Sequence, residues 1–195
     1  MTVILREADG NPPVVWPLAE FGAHLRLANG FLDDGSEDAL LTTCLRNAVA
    51  AIERHLAQAL IARSFELKVA RWDRGGHLTL PVGPVAAVAR LSMVSGAAAI
   101  DIGAEAWELE PGTTRQRLTG RGGGALSPIP TGYWAELGFV AGHAPDWAGV
   151  PGDLAQAAMM LAAHFYEFRG GHGRAAGGIP AEVAAILDRY RPVRL

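Results

Sequence analysis

The apolar residues of this chain keep two different periods, and the change from one to the other constrains its fold more than any other feature. Leu41, Cys44, Leu45, Ala48, Ile52, Leu56 and Ala59 recur at helical spacing, which lays them along one stripe of a helix spanning 39–60. Arg46, Glu53, Arg54 and Gln58 fall largely off that stripe. From Phe65 the period drops to two, with Phe65, Leu67 and Val69 alternating with Glu66 and Lys68, as in a half-buried strand. Near 150 the helical period returns, carried by Leu154, Ala157, Ala158, Leu161, Ala162 and Phe165.

Punctuation between these runs fills in the rest. Pro17 suits a first helical position because it has no N–H to leave unpaired, and Leu18, Phe21 and Leu25 follow at helical spacing up to Asn29-Gly30. Asp33, Asp34, Ser36, Glu37 and Asp38 supply capping side chains and dipole-compensating charge ahead of the long helix. Asp73-Arg74-Gly75-Gly76 gives turn chemistry for a hairpin that returns through 77–80, and a strand is expected over 85–94 before Ser95-Gly96. Further short strands are expected at 106–109, 115–118 and 133–140, with an exposed glycine- and proline-rich loop at 120–130. A glycine-rich connection at 170–178 leads to Pro180 and a final short helix with Val183, Ile186 and Leu187 inward.

These readings predict an α+β protein: a helical bundle of two long helices plus short terminal helices, with a β-rich insertion between the long helices. The expected parts are an N-terminal helical part at 1–62, the β-rich insertion at 63–149, and a C-terminal helical part at 150–195 that completes the bundle. With 195 residues, 50% of them hydrophobic, the chain can bury a core of its own as one domain with an insertion.

A formal net charge of -3 argues against a sequence-independent grip on nucleic acid, which needs surplus Lys and Arg. Cys44, the single cysteine, has no partner for an internal disulfide and sits on the apolar stripe as a small core residue. Residues 1–10 mix Arg6, Glu7 and Asp9 with apolar residues, without the apolar stretch of a signal peptide, and no run is long enough to cross a bilayer. A cytoplasmic site of synthesis and assembly, with no membrane partner, is expected.

Candidate chemistry is thin. His164 and Glu167 lie three apart on one helix with His172 nearby, but zinc needs all three to converge, and the doubled-histidine helical motif is missing. His164 reads better as an interfacial histidine, with Glu167 paired to Arg169 or to a neighbouring subunit. Gly120, Gly122, Gly123 and Gly124 lack the Lys-Ser/Thr ending of a phosphate loop, and no serine sits in a nucleophile elbow. The acidic cluster at Asp33, Asp34, Glu37 and Asp38 is explained by capping, and Arg115, Arg117 and Arg121 lack the interleaved aromatics of a single-strand binder. Trp72, Trp107, Trp134 and Trp147 are expected as core or interface anchors. No catalytic, cofactor or metal role is assigned. The rival readings are a small metal enzyme built on His164 and Glu167, and a nucleic-acid-binding module.

Several phrases, in order, resemble the head-tail connector (adaptor) family of tailed phages and gene transfer agents. They begin with Leu18-Ala19-Glu20-Phe21 and His24-Leu25-Arg26, then an Ala-Ile-Glu-Arg phrase over 51–60. Leu80-Pro81-Val82-Gly83-Pro84-Val85 and Phe139-Val140-Ala141-Gly142 follow. The most specific phrase is Pro151-Gly152-Asp153-Leu154-Ala155-Gln156-Ala157 leading to His164-Phe165-Tyr166-Glu167-Phe168-Arg169, and Ile179-Pro180 and Tyr190-Arg191 close the match.

What the resemblance implies is a ring of identical subunits, a dodecamer, docked beneath the portal and offering a platform to the stopper and tail. DNA would pass through its channel without specific binding. The expected partner-facing residues are Tyr190, Arg191, Arg194 and Leu195 of the terminal segment, a candidate portal-docking tail, together with His164, Tyr166 and Arg169 of the late helix.

Overall fold

The computed structural model describes residues 3–27, 35–112, 115–168 and 178–191 of the chain, among which lie eight strands and four α-helices. The strands are β1 (Val3–Glu7), β2 (Arg63–Val69), β3 (Leu78–Thr79), β4 (Val85–Ser95), β5 (Ala98–Asp101), β6 (Trp107–Leu109), β7 (Arg117–Gly120) and β8 (Trp134–Ala141). The helices are α1 (Leu18–His24), α2 (Asp38–Leu56), α3 (Gly152–Glu167) and α4 (Ala181–Leu187). The chain divides into two compact units, one of Met1–Pro13 with Ala57–Pro145 and one of Val14–Leu56 with Asp146–Leu195.

The first unit holds two antiparallel sheets, one of five strands in the order β1-β2-β8-β4-β5 and one of three in the order β3-β7-β6. Register in the larger sheet follows from alternation. Phe65, Leu67 and Val69 of β2 stand opposite Phe139, Leu137 and Ala135 of β8, and all six are buried. A slip of one residue would turn all three of the slipped strand's residues outward, so burial itself fixes the pairing. The Phe65 and Phe139 rings stack with centroids 5.5 Å apart. On the opposite face the same register pairs Lys68 with Glu136, joined at 2.8 Å, and Arg6 with Glu66, joined at 2.5 Å.

Leu78, Leu80, Leu118 and Leu126 from the region of the smaller sheet join one buried cluster with Leu67, Leu91, Leu137 and Phe139 of the larger. Buried Gln116 ties into β4: its Oε1 accepts the Val85 N–H at 2.5 Å, and its Nε2 donates to the Val85 carbonyl at 3.3 Å. Both backbone groups of Val85 are thus paired where β4 is irregular, its register shifting between Val85 and Ala87 and again between Val88 and Arg90.

In the second unit α2 and α3 pack on each other through the stripes expected of them, burying Leu41, Cys44, Leu45, Ala48, Val49, Ile52 and Leu56 against Leu154, Ala157, Ala158, Leu161 and Ala162. Small alanines on α3 allow the close approach. Phe21 of α1 and Val183 and Leu187 of α4 are buried in the same unit.

The helical bundle with a β-rich insertion is therefore not the fold; the protein is a β-rich α+β structure whose strands form two sheets around a core of their own. Two local causes separate the expectation from the result. Residues 3–7 form the edge strand β1, none of whose residues is buried, so no buried alternation marks it in the sequence. The apolar spacing of α2 runs on through Ala59 and Leu60, yet the helix stops at Leu56 because Ala57 takes a left-handed φ of 55°. Ala59 is buried instead in the core of the β unit. The loop expected at 120–130 opens with a tight 3-10 turn at Arg121–Gly123, held by the Gly123 N–H donating to Glu108 Oε1 at 2.7 Å.

Candidate interaction surfaces

Arg189 and Tyr190, just after α4, are anchored on the start of α3. Asp153 sits in the first turn of that helix, where its Oδ1 accepts the Leu154 N–H at 3.0 Å and also the Tyr190 hydroxyl. The Arg189 guanidinium stands 3.6 Å from Asp153 Oδ2. Donation by Tyr190 is the main reason the Asp153 carboxyl is held below the usual carboxylate range, with Leu154 and Arg189 adding to it and partial burial opposing. Tyr190 is pushed up to about 12, first by burial and then by its bond to Asp153, so it remains a donor at all ordinary pH values.

Signs follow from these two shifts. A carboxylate whose folded pKa is lowered contributes stability above its unfolded value and loses it as pH falls through the folded one. A raised tyrosine contributes fully below its ordinary value of 10.0 and loses its contribution as pH rises through about 12. Replacing Tyr190 by phenylalanine is expected to cost about 1.5 kcal/mol at pH 7, typical of a hydrogen bond to a charged group. The cost should begin to shrink only below the usual carboxylate range, as pH falls through the lowered folded pKa of Asp153; a series of urea melts from pH 7 downward checks it.

Arg191 donates to Asp188 Oδ1 at 3.2 Å, and both side chains are more than half exposed, so a partner carboxylate can take the place of Asp188 at little cost. On α3, Tyr166 donates to Glu37 Oε2 at 3.4 Å, tying the late helix to the residue just before α2. The His164 ring lies 4.6 Å from that of Phe168. His164, Phe165 and Phe168 line an open groove of about 530 Å³ with Leu40, Thr43 and Asn47 of α2. The structure thus brings His164 and Phe168 together, while Tyr166 and Tyr190 each bind a carboxylate of their own unit. Arg169, Arg194 and Leu195 lie outside the described residues, as does His172 of the rival metal reading.

Other singled-out residues find structural places. Among the described residues no group of three or more His, Cys, Asp or Glu is arranged to hold a metal ion. Asp33 and Asp34 lie outside the described residues, while Asp38 sits in the first turn of α2. Arg117 pairs loosely with Glu110 at 3.9 Å. Trp147 is buried, Trp72 donates to the Ser127 carbonyl at 2.8 Å, and Lys68 Nζ lies 5.7 Å from the centre of the Trp134 ring. No described helix is long and apolar enough to cross a membrane.

A further surface, not among the residues expected to face partners, lies along the two edges of the larger sheet. Six large hydrophobic residues are exposed among those described, and four of them, Val3, Ile4, Leu5 and Ile100, sit on its edge strands β1 and β5. The sequence offered only a weak signal for β1, the strand-favouring pair Val3-Ile4, which suits an edge as well as a core.

No family model matches this chain, and no curated protein does. Solved structures do. One titled as the neck of an empty GTA particle computed with C6 symmetry is 44% identical, with a TM-score of 0.86, and the match covers 98% of this chain and 97% of that one. A second, the virion of a native gene transfer agent (GTA) particle, is 42% identical at a TM-score of 0.83, with 98% and 97% covered. A third, the neck of a native GTA particle computed with C12 symmetry, is 38% identical at 0.80 over the same shares. Identity at this level along almost the whole of both chains, in two GTA particle necks and a GTA virion, means that the chain belongs to the head-tail connector (adaptor) family of gene transfer agents and tailed phages.

Proposed function

We propose that this protein is a structural head-tail connector: copies of it form a ring in the neck of a gene transfer agent-like particle, join the portal to the stopper and tail, and continue the DNA channel. The observation that carries this reading is the 44% identity, over 98% of the chain, to a chain in the neck of a GTA particle. Symmetry of C6 and C12 in the matched necks supports the ring, and twelve copies is the stoichiometry we assign. Its work is binding rather than catalysis, carried by rigid helices and by sheets with uncovered edges. The net charge of -3 suits a channel wall that must let DNA slide past without holding it. Synthesis and assembly take place in the cytoplasm, and the finished location is the neck.

Portal docking is assigned to the terminal segment, through Arg191, Arg194 and Leu195, with Tyr190 fixing the direction in which the segment leaves α3. Deleting residues 192–195 keeps the Tyr190–Asp153 bond, so the melting curve of the isolated protein should not move. Capture of the truncated protein by portal-bearing heads should fall at least tenfold; capture at the full level would remove the tail from the docking site.

The reading as a whole is tested by removing the chain from producing cells. Filled heads without attached tails, and loss of DNA delivery, are the expected result. Tailed particles that deliver normally would refute it.

A further inference from the structure

We infer that neighbouring copies in the ring join edge to edge through the larger sheet, β5 of one copy lying parallel to β1 of the next. The inference rests on the ring assigned above and specifies how that ring is held.

The observation behind it is a row of side chains that runs the full width of the sheet and is covered only in the middle. Across the five strands the register places Val3, Val69, Ala135, Met93 and Ile100 in one line. Val69, Ala135 and Met93 are at most 3% exposed, whereas Val3 at one end is 43% exposed and Ile100 at the other is 51%. Leu5 lies on the same face as Val3 and is 38% exposed, although Leu67, Leu137 and Leu91 of its own row are buried. The hydrophobic face thus continues to both edges and is left uncovered at each. An edge strand is normally blunted by proline, lysine or a covering element, because its unpaired N–H and C=O groups template further pairing. β1 carries Arg6 and Glu7, each paired within its own copy to Glu66 and Arg63, and β5 carries Asp101, but neither strand contains proline or lysine, and among the described residues each has a neighbour on one side only.

Direction decides which edges meet. All pairings in this sheet are antiparallel, and the strands are five, so β1 and β5 point the same way. Joining β1 to β1, or β5 to β5, would use a two-fold axis and stop at a dimer. Joining β5 to the β1 of the next copy uses two different patches, keeps strand direction under a rotation, and repeats, which is the head-to-tail contact a closed ring requires. Ile100 then lies level with Val3 of the next copy and continues the buried row across the joint. On the other face Asp101 comes level with Ile4 and falls diagonal to Arg6 of the next copy, an acid beside a base.

Disulfide trapping tests this. Ile4 and Asp101 are exposed and lie outside the core face, so Ile4→Cys and Asp101→Cys can be introduced singly and together, leaving buried Cys44 in place. Parallel neighbours hold Cα atoms within the separation a disulfide spans. Particle necks carrying the double variant should, after mild oxidation, run on non-reducing gels as a ladder extending well beyond dimer, while either single variant stays no larger than dimer. A second variant, Leu5→Lys with Ile100→Lys, should keep the monomer's circular dichroism and melting curve but lower the yield of rings at least tenfold. Rings visible by electron microscopy that give no ladder, or that form at full yield with both lysines, would overturn strand pairing and leave the connector reading standing. Necks from which the chain is absent altogether would remove the connector reading, and this inference with it.

Discussion

Replacing Phe139 by alanine is expected to cost about 4 kcal/mol, enough to unfold the β unit of a marginally stable protein. Phe139 is 1% exposed at the centre of the five-stranded sheet, facing Phe65 in β2 and Val88 in β4. Removing its ring deletes the stacked pair and opens a cavity flanked on one side by β2, whose unbroken hydrogen-bond ladder with β8 limits relaxation, and on the other by the irregular stretch of β4. Phe139→Leu keeps much of the volume and should cost about half as much. Urea unfolding followed by tryptophan fluorescence checks the order: the midpoint should fall furthest for alanine, with the slope unchanged. Equal costs for the two would mean that the ring stacking, rather than cavity formation, dominates.

The second large effect is expected at Gly142, where alanine should cost about 3 kcal/mol. A Cβ at this position would stand 2.2 Å from Ala62 Cα and 2.4 Å from Ala62 N, and the glycine has a φ of +149°. The obstacle is backbone, so no rotamer change relieves it. Moving that backbone would disturb the Gly142 N–H bond to the Pro84 carbonyl, 2.9 Å long, and the His143 N–H bond to Ala59 at 3.1 Å, which together seal the end of β8. Gly132→Ala is the control: its φ is +82° but nothing lies within 4 Å of the added atom, so only the backbone term, about 1 kcal/mol, should appear. Equal shifts in midpoint for the two variants would show that conformation, not crowding, governs Gly142.

Much of the architecture was legible where one face of an element is buried. The stripe from Leu41 to Leu56 and the alternation from Phe65 to Val69 could be read because burial writes its period into the residues. The same logic explains the failures. β1 buries none of its residues, so it carried no period, and without it the β region looked like an insertion between helices rather than a unit that also recruits the start of the chain. Ala59 continues a helical spacing although it belongs to a different core, because spacing says that a residue is buried and not against what.

The candidate surfaces were legible only through local phrases. Pro151 to Ala157 and His164 to Arg169 marked the late helix as the distinctive element, but pairing of Asp153 with Tyr190 across 37 positions left no mark in either segment. Tyr190 therefore read only as a residue offered to a partner, and the bond its hydroxyl makes to Asp153 was not foreseen. The exposed ends of the Val3–Ile100 row were illegible for another reason: they become a feature only once the register puts five separate segments side by side.

Reconstruction of the neck from particles that carry this chain tests the account most directly. The prediction is a closed ring of twelve copies between portal and tail, into which the two-sheet unit fits with β5 of each copy beside β1 of the next. A neck whose connector density belongs to another protein, with this chain missing from the particle, would contradict it.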